Sequence, residues 1–190
     1  MRVLDLDLDF FLTEPCPFAE EGARPDDGCA LPHGEERVRS FLEEGLLLSK
    51  ARKTPGRRFE THDGAAFFWK ELIGAGRLTV PFTVTHVDTH TDLGIAQKGY
   101  PFVKHSVLTR PPAARADFEA YREMGQLNEA NYLAFVLACR YADRLENLRN
   151  VRSKPDFPEE MRCGRDIRLC TAFPQLFEAV NRRFALRRVL

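Results

Sequence analysis

The chain has 190 residues, enough for one domain with a substantial core. Lys plus Arg and Asp plus Glu each number 28, so the net charge is zero, and the balance gives no electrostatic footprint for nucleic acid or an anionic membrane surface. The acidic start MRVLDLDLDF does not read as a signal peptide, no run reaches the ~18 apolar residues of a membrane span, and five cysteines without a CxxC point to reduced thiols in a cytoplasm.

In chain order, RVLDLDLDF alternates apolar and acidic residues and predicts a strand. Residues 13–33 are rich in Pro, Gly and acid and predict a loop. HGEERVRSFLEEGLLL is helical by the spacing of Val38, Phe41, Leu42 and Leu46, and the basic SKARKTPGRRFET follows as a loop. THDGAAFFWKELIGAG predicts a helix with Thr61 as N-cap and Gly74 and Gly76 at its close; Phe67, Phe68 and Trp69 are core residues. LTVPFTVTHVD is a buried strand, and LGIAQKGYPFVKHSVLTRPPAA shows little periodicity and predicts a loop. PPAARADFEAYREMG starts a helix after its prolines, and NEANYLAFVLACRYADRL predicts the strongest helix, with Tyr132, Phe135, Val136 and Cys139 on one stripe. ENLRNVRS and DIRLCTA are short strand candidates, and FPQLFEAVNRRFAL predicts a closing helix. Strands alternating with helices predict a single α/β domain over residues 1–190 with a mainly parallel sheet. Sites in such folds form beyond the carboxyl ends of strands.

Two acidic clusters sit at such ends. HVDTHTDL places Asp88, His90 and Asp92 at alternate positions, and MRVLDLDLDFF does the same for Asp5, Asp7 and Asp9. Side chains at i, i+2 and i+4 share a face only while the backbone stays extended; otherwise they converge as it leaves the strand and curls around an ion. Carboxylates behind core strands cost several kcal/mol each unless paired or metal-bound. Carboxylate with imidazole suits Mn²⁺, Fe²⁺ or Zn²⁺, and four or more carboxylates are better neutralised by two ions than by one. His86, two places before Asp88 on the strand, reads as a core or supporting histidine.

DTHTDL behind a strand resembles the D-x-H-x-D-L/I motif of the arginase and agmatinase (ureohydrolase) superfamily, whose fold is shared with metal-dependent deacetylases. DLDLDFF, THDGAAFFW, HVDTHTDLG and EANYLAFVLACR together resemble the UPF0489 family, which includes arginases acting on peptides. The resemblance covers roughly residues 1–150. It implies a three-layer α/β/α domain, rearranged or permuted, because the pair in LDLDFF comes first here rather than on a later strand. It implies two Mn²⁺ ions, with Fe²⁺ or Zn²⁺ also acceptable to these ligands. Carried over, His62, 26 positions before Asp88, would bind one ion with Asp88 and Asp92; His90 and Asp9 would hold the second; Asp88 and Asp7 would bridge. Asp5 would support them, with an Asp5/Asp7 register as the alternative. Asp92 would hold the nucleophilic water, His105 would pass a proton to the leaving amine, and Glu129, beside Asn131, would take a guanidinium. The implied reaction converts arginine side chains, in a peptide or a small guanidino compound, to ornithine and urea, with a homo-oligomer left open. A related amidohydrolase or deacetylase would use the same ligands, and a non-catalytic metal-binding member would keep them. A haloacid dehalogenase-type phosphatase would explain DLDLD but leave HVDTHTDL without a role.

Overall fold

The structure is a computed structural model that describes residues 1–14, 31–51, 53–94, 99–150 and 152–153, with the backbone of 182–183. Its elements are strands β1 (Arg2–Leu6), β2 (Phe82–Asp88), β3 (Ala142–Arg149) and β4 (Arg182–Arg183), and helices α1 (Glu35–Ser40), α2 (Gly64–Gly74), α3 (Gly99–Phe102), α4 (Phe118–Glu123) and α5 (Tyr132–Ala138). The strands form one sheet in the order β1-β2-β3-β4, and every pairing is parallel. This is an α/β domain in which helical segments connect β1 to β2 and β2 to β3.

β2 is central, pairing with β1 from Arg2↔Thr83 to Leu6↔Val87 and with β3 from Phe82↔Ala142 to Asp88↔Arg149. The two-residue period sends Phe82 and Val84 to one face, where they join Trp69 of α2, Tyr132 and Phe135 of α5 and Leu145 of β3 in the larger apolar cluster. Val87 goes to the other face and packs with Phe10, Phe11 and Phe41, flanked by Leu4, Leu6 and Leu148. Each such fully buried side chain contributes about 1.5–3 kcal/mol relative to exposure. β2 is thus buried on both faces. Along the larger-cluster face, the run of apolar residues ends at Asp5 on β1 and at His86 and Asp88 on β2.

Several sequence-based expectations change. β1 stops at Leu6, and Leu8–Phe11 form a 3-10 turn whose N-cap is Asp7, its carboxylate accepting from the Asp9 N–H at 3.1 Å. Phe10 and Phe11 both join one buried cluster, whereas strand alternation would send them to opposite faces. The first turn of α2 is preceded by Asp63 rather than capped by Thr61, and Asp63 instead meets the Arg122 guanidinium at 3.2 Å. The stretch expected to be a loop is helical from Gly99, continuing through a π-helical turn at Val103–Val107; Pro101 lies in the first turn, where its missing N–H is harmless, and Tyr100, Val103 and Val107 are buried. α5 is shorter than its periodicity suggests. All seven of its residues are buried, the chain turns at Arg140 (φ 59°), and Ala142 already opens β3. The strand expected from residue 146 therefore starts at 142 and ends at Arg149. Most of the 13–33 loop, the DIRLCTA strand and the closing FPQLFEAVNRRFAL helix lie outside the described residues, apart from the β4 backbone. No helix among the described residues is long and apolar enough to cross a membrane.

Candidate metal centre

The carboxyl ends of β1 and β2 lie side by side because the two strands are in parallel register. β2 ends at Asp88, and the chain turns there instead of staying extended. Asp88 Oδ1 accepts from the His90 N–H at 2.7 Å, and Asp92 takes a left-handed conformation (φ 51°) that bends its side chain back toward Asp88. Neighbouring elements pin this turn. Thr89 donates its N–H to Asp9 Oδ1 and its hydroxyl to the Asp9 carbonyl, both at 3.2 Å, and Arg149 of β3 donates to the Thr89 carbonyl at 2.7 Å. Leu93 is fully buried and Gly94 (φ 70°) lies against Asn131, where a Cβ would come within 2.5 Å of the Asn131 Cβ. The turn thus requires glycine at residue 94.

Two groups of side chains result, each able to hold a metal ion: His62, His86, Asp88 and Asp92, and Asp9, Asp88 and His90, with the ligand atoms of each group within 4.8 Å of one another. In the first, His62 Nδ1 lies 3.0 Å from Asp92 Oδ2 and 3.1 Å from Asp88 Oδ2. His86 Nε2 lies 3.4 Å from Asp88 Oδ2 and 3.8 Å from Asp92 Oδ2. An ion with ligand bonds of about 2.0–2.2 Å separates neighbouring ligand atoms by roughly 3.0–3.5 Å, so the spacing matches a coordination shell. His62 Nδ1, His86 Nε2 and Asp92 Oδ2 are buried and have no hydrogen-bond partner among the described residues. Three such orphans facing one point are costly without a shared occupant, and two imidazoles with two carboxylates are the donor set of a borderline divalent ion. In the second group, His90 Nδ1 lies 3.2 Å from Asp9 Oδ2 and 3.5 Å from Asp88 Oδ1.

No family model, curated protein or solved structure matches the chain. The functional reading therefore rests on this geometry.

The electrostatics are those of crowded acids. Burial would raise the Asp88 carboxyl, but His62 and His90 outweigh it and hold Asp88 well below the usual carboxylate range. Asp92 goes the other way: burial and the adjacent Asp88 charge push it up. Asp7 is also raised, by burial and by the charges of Asp88 and Asp9. Burial disfavours charged imidazole, yet carboxylate partners overcome it at His62 and His86, and at His90 they raise the ring to about 10. The carboxylates thus favour protonated imidazoles as their counter-charge, and an ion bound there would replace those protons.

The arrangement differs from the sequence-based assignment in three respects. His86, expected to be a core or supporting histidine, is fully buried as expected but turns Nε2 into the first group. Its place two residues before Asp88 on the same strand face was the available signal. Asp7 belongs to neither group; it caps the 3-10 turn, with Oδ2 3.3 Å from His62 Nδ1. Asp5 stays outside both groups in the supporting place expected of it, bonded to the far sides of His62 and His86 and to Tyr132. His105 is exposed on the π-helical turn whose Val103 and Val107 face the core, and Glu129 is exposed in the turn before α5; neither joins a group. Asn131 is the buried residue of that turn, and its side chain accepts from the Asn128 N–H at 2.9 Å and donates to the Gln126 carbonyl at 2.9 Å.

Proposed function

We propose that this chain is a dinuclear-metal hydrolase of the ureohydrolase type, cleaving the guanidino C–N bond of arginine side chains, in a peptide, to give ornithine and urea. The observation that carries the reading is the divided carboxylate of Asp88. Oδ2 faces His62 Nδ1 at 3.1 Å and Oδ1 faces His90 Nδ1 at 3.5 Å, the arrangement of a bridging ligand between two ions. His62, His86, Asp88 and Asp92 would hold one ion, and Asp9, Asp88 and His90 the other. Mn²⁺, Fe²⁺ and Zn²⁺ all accept this donor set, with Mn²⁺ the first choice. When bound, two such ions would supply a water ionised near neutral pH.

The chain's own residues divide the remaining work. The side chains of His62, His86, Asp88 and Asp92 are 13%, 0%, 1% and 4% exposed, so the first group is closed to solvent. Those of Asp7, Asp9 and His90 are 37%, 20% and 22% exposed and form the open side. An acidic mouth attracts a guanidinium cation and repels an anionic substrate. Asp92, next to Asp88, would accept a hydrogen bond from the nucleophilic water. Water adds to the guanidinium carbon, the bond to the side-chain nitrogen breaks, urea keeps the water oxygen, and both water protons end on the departing nitrogen, which leaves as an ammonium group. The three-layer α/β/α arrangement and a cytoplasmic setting belong to the same reading.

A second reading has its own support. A site closed by four protein ligands is what structural metal centres look like, which favours a non-catalytic metal-binding protein. Elemental mass spectrometry of the protein expressed with manganese, beside Asp88→Ala, tests the first step; two equivalents, absent in the variant, support the bridged pair. Arginine-containing peptides assayed for urea and ornithine test the second. A filled site without turnover leaves the structural reading standing, and a folded protein holding no metal sinks both.

A further inference from the structure

Asp5 is a buried acid on the apolar face of β1, in line with Val3 and across from His86 in the sheet register. A carboxylate there costs several kcal/mol unless its oxygens are satisfied. They are. Oδ1 lies 3.1 Å from His62 Nε2, Oδ2 lies 3.1 Å from His86 Nδ1, and the Tyr132 hydroxyl donates to Oδ2. The Tyr132 ring also packs beside both imidazoles, its centroid 5.1 Å from that of His62 and 6.5 Å from that of His86. One acid therefore stands behind two histidines that come from different segments, and one phenol holds that acid.

We propose that Asp5, clamped by Tyr132, is the positioning residue that makes ligands of both His62 and His86. An ionised carboxylate accepts hydrogen bonds and donates none. The imidazole nitrogens that face Asp5 must therefore carry the hydrogens, Nε2 on His62 and Nδ1 on His86. In a neutral ring the opposite nitrogen then holds the lone pair, which is Nδ1 on His62 and Nε2 on His86. These are the two orphaned nitrogens that face Asp88 and Asp92. Asp5 thus selects the Nδ1-donor tautomer in one ring and the Nε2-donor tautomer in the other, and a single oxygen pair sets both ring orientations. Supporting carboxylates of this kind raise ligand basicity and are typically worth 10–100-fold in metal affinity. Tyr132 adds a third contact to the carboxylate that meets both rings; its phenol fixes the carboxylate plane so that both oxygens stay directed.

This inference rests on the metal-holding part of the proposed function and not on the reaction. The test is the affinity for Co²⁺ and Zn²⁺, by competition with a chromophoric chelator, on the full chain and on Asp5→Asn and Tyr132→Phe. The Co²⁺ absorption spectrum and long-range ¹H–¹⁵N correlations of the histidine rings are recorded on the loaded proteins. In Asp5→Asn the side-chain amide can accept from one imidazole but must donate to the other, which then turns an N–H into the site. The expected result is a 10–100-fold loss of affinity, a changed Co²⁺ spectrum as one nitrogen ligand is lost, and one ring in the opposite tautomer. Tyr132→Phe keeps the packed ring, so it folds, and is expected to weaken binding several-fold with unchanged tautomers; it decides the matter if Asp5→Asn fails to fold. Wild-type affinity and spectrum in both variants, or ring nitrogens of the opposite assignment in the wild type, overturn the inference while leaving the metal centre intact. Absence of binding by the wild type overturns the metal centre itself, and this inference with it.

Discussion

His62 Nδ1 and Asp92 Oδ2 lie 3.0 Å apart, both buried, and neither makes a hydrogen bond to any described residue. Two polar atoms so close and so poorly directed at each other are placed for a third atom between them. Zn²⁺ or Mn²⁺ is therefore expected to raise the melting temperature, by the equivalent of about 2.7 kcal/mol when free ion is a hundredfold above its Kd. Differential scanning calorimetry with and without EDTA measures this, and the shift should vanish in Asp88→Ala.

Asp92→Asn separates stability from binding. The Asp92 carboxyl is raised by burial and by Asp88, so ionised Asp92 opposes folding of the metal-free chain near neutral pH. Removing the charge while keeping the shape should stabilise the metal-free protein by on the order of 1 kcal/mol, while the first ion is lost. Urea unfolding in EDTA reads the first effect and metal content reads the second. A metal-free variant less stable than wild type contradicts the like-charge argument.

The two ions should differ in grip. The first group is enclosed, whereas the second is reached through the exposed edges of Asp9 and His90. A chelator should strip the protein in two phases, one equivalent fast and one slow. Asp9→Asn should remove the fast phase alone.

The metal-free protein should lose stability as the solution becomes alkaline. His90 titrates near 10 in the fold and at about 6.5 in an unfolded chain. Its contribution is fully present below about pH 6.5 and disappears as pH rises through about 10. His62 and His86 are raised as well and act in the same direction. Melting temperatures in EDTA should fall across that window, less steeply in His90→Gln. Loading with metal near pH 7.5 should release protons, measurable by calorimetry in buffers of different ionisation enthalpy.

Gly94→Ala should destabilise the chain by about 2–4 kcal/mol. The new Cβ would meet the Asn131 Cβ at 2.5 Å in a backbone conformation (φ 70°) that side chains rarely adopt. Asn131 immediately precedes α5, so the variant should also weaken metal binding through displacement of Tyr132.

The parallel α/β class was legible from alternating strand and helix patterns, and HVDTHTDL announced its carboxylates through spacing alone. The alternation of Asp5, Asp7 and Asp9 was a poorer guide. It implied one continuous strand, but the short Asp7 side chain caps a 3-10 turn, and the pair of buried phenylalanines draws the chain out of the sheet. His62 entered only through a family resemblance, since a histidine opening a helix has no distinctive spacing. The helix from Gly99 was missed, although Tyr100, Val103 and Val107 fall at helical spacing, because proline and glycine lie at its start. Tyr132 read as one apolar stripe residue among several. Its bond to Asp5 spans 127 positions, and no local pattern carries a contact of that range.

The parallel pairing of β1 with β2 has a consequence in time. Arg2 finds its register partner at Thr83, and Asp5 meets partners 57, 81 and 127 positions away. At about 5–20 residues per second of synthesis, β1 waits several seconds for the strand it pairs with. Closing a loop of that length precedes any reward from the contacts it brings, which makes such pairings slow. The mutually repelling acids are thus kept apart in the nascent chain until β2 and the turn after it have been made. A complete first-ion site with its Tyr132 support exists only after residue 132 has emerged, so metal capture marks the end of assembly and not its nucleus.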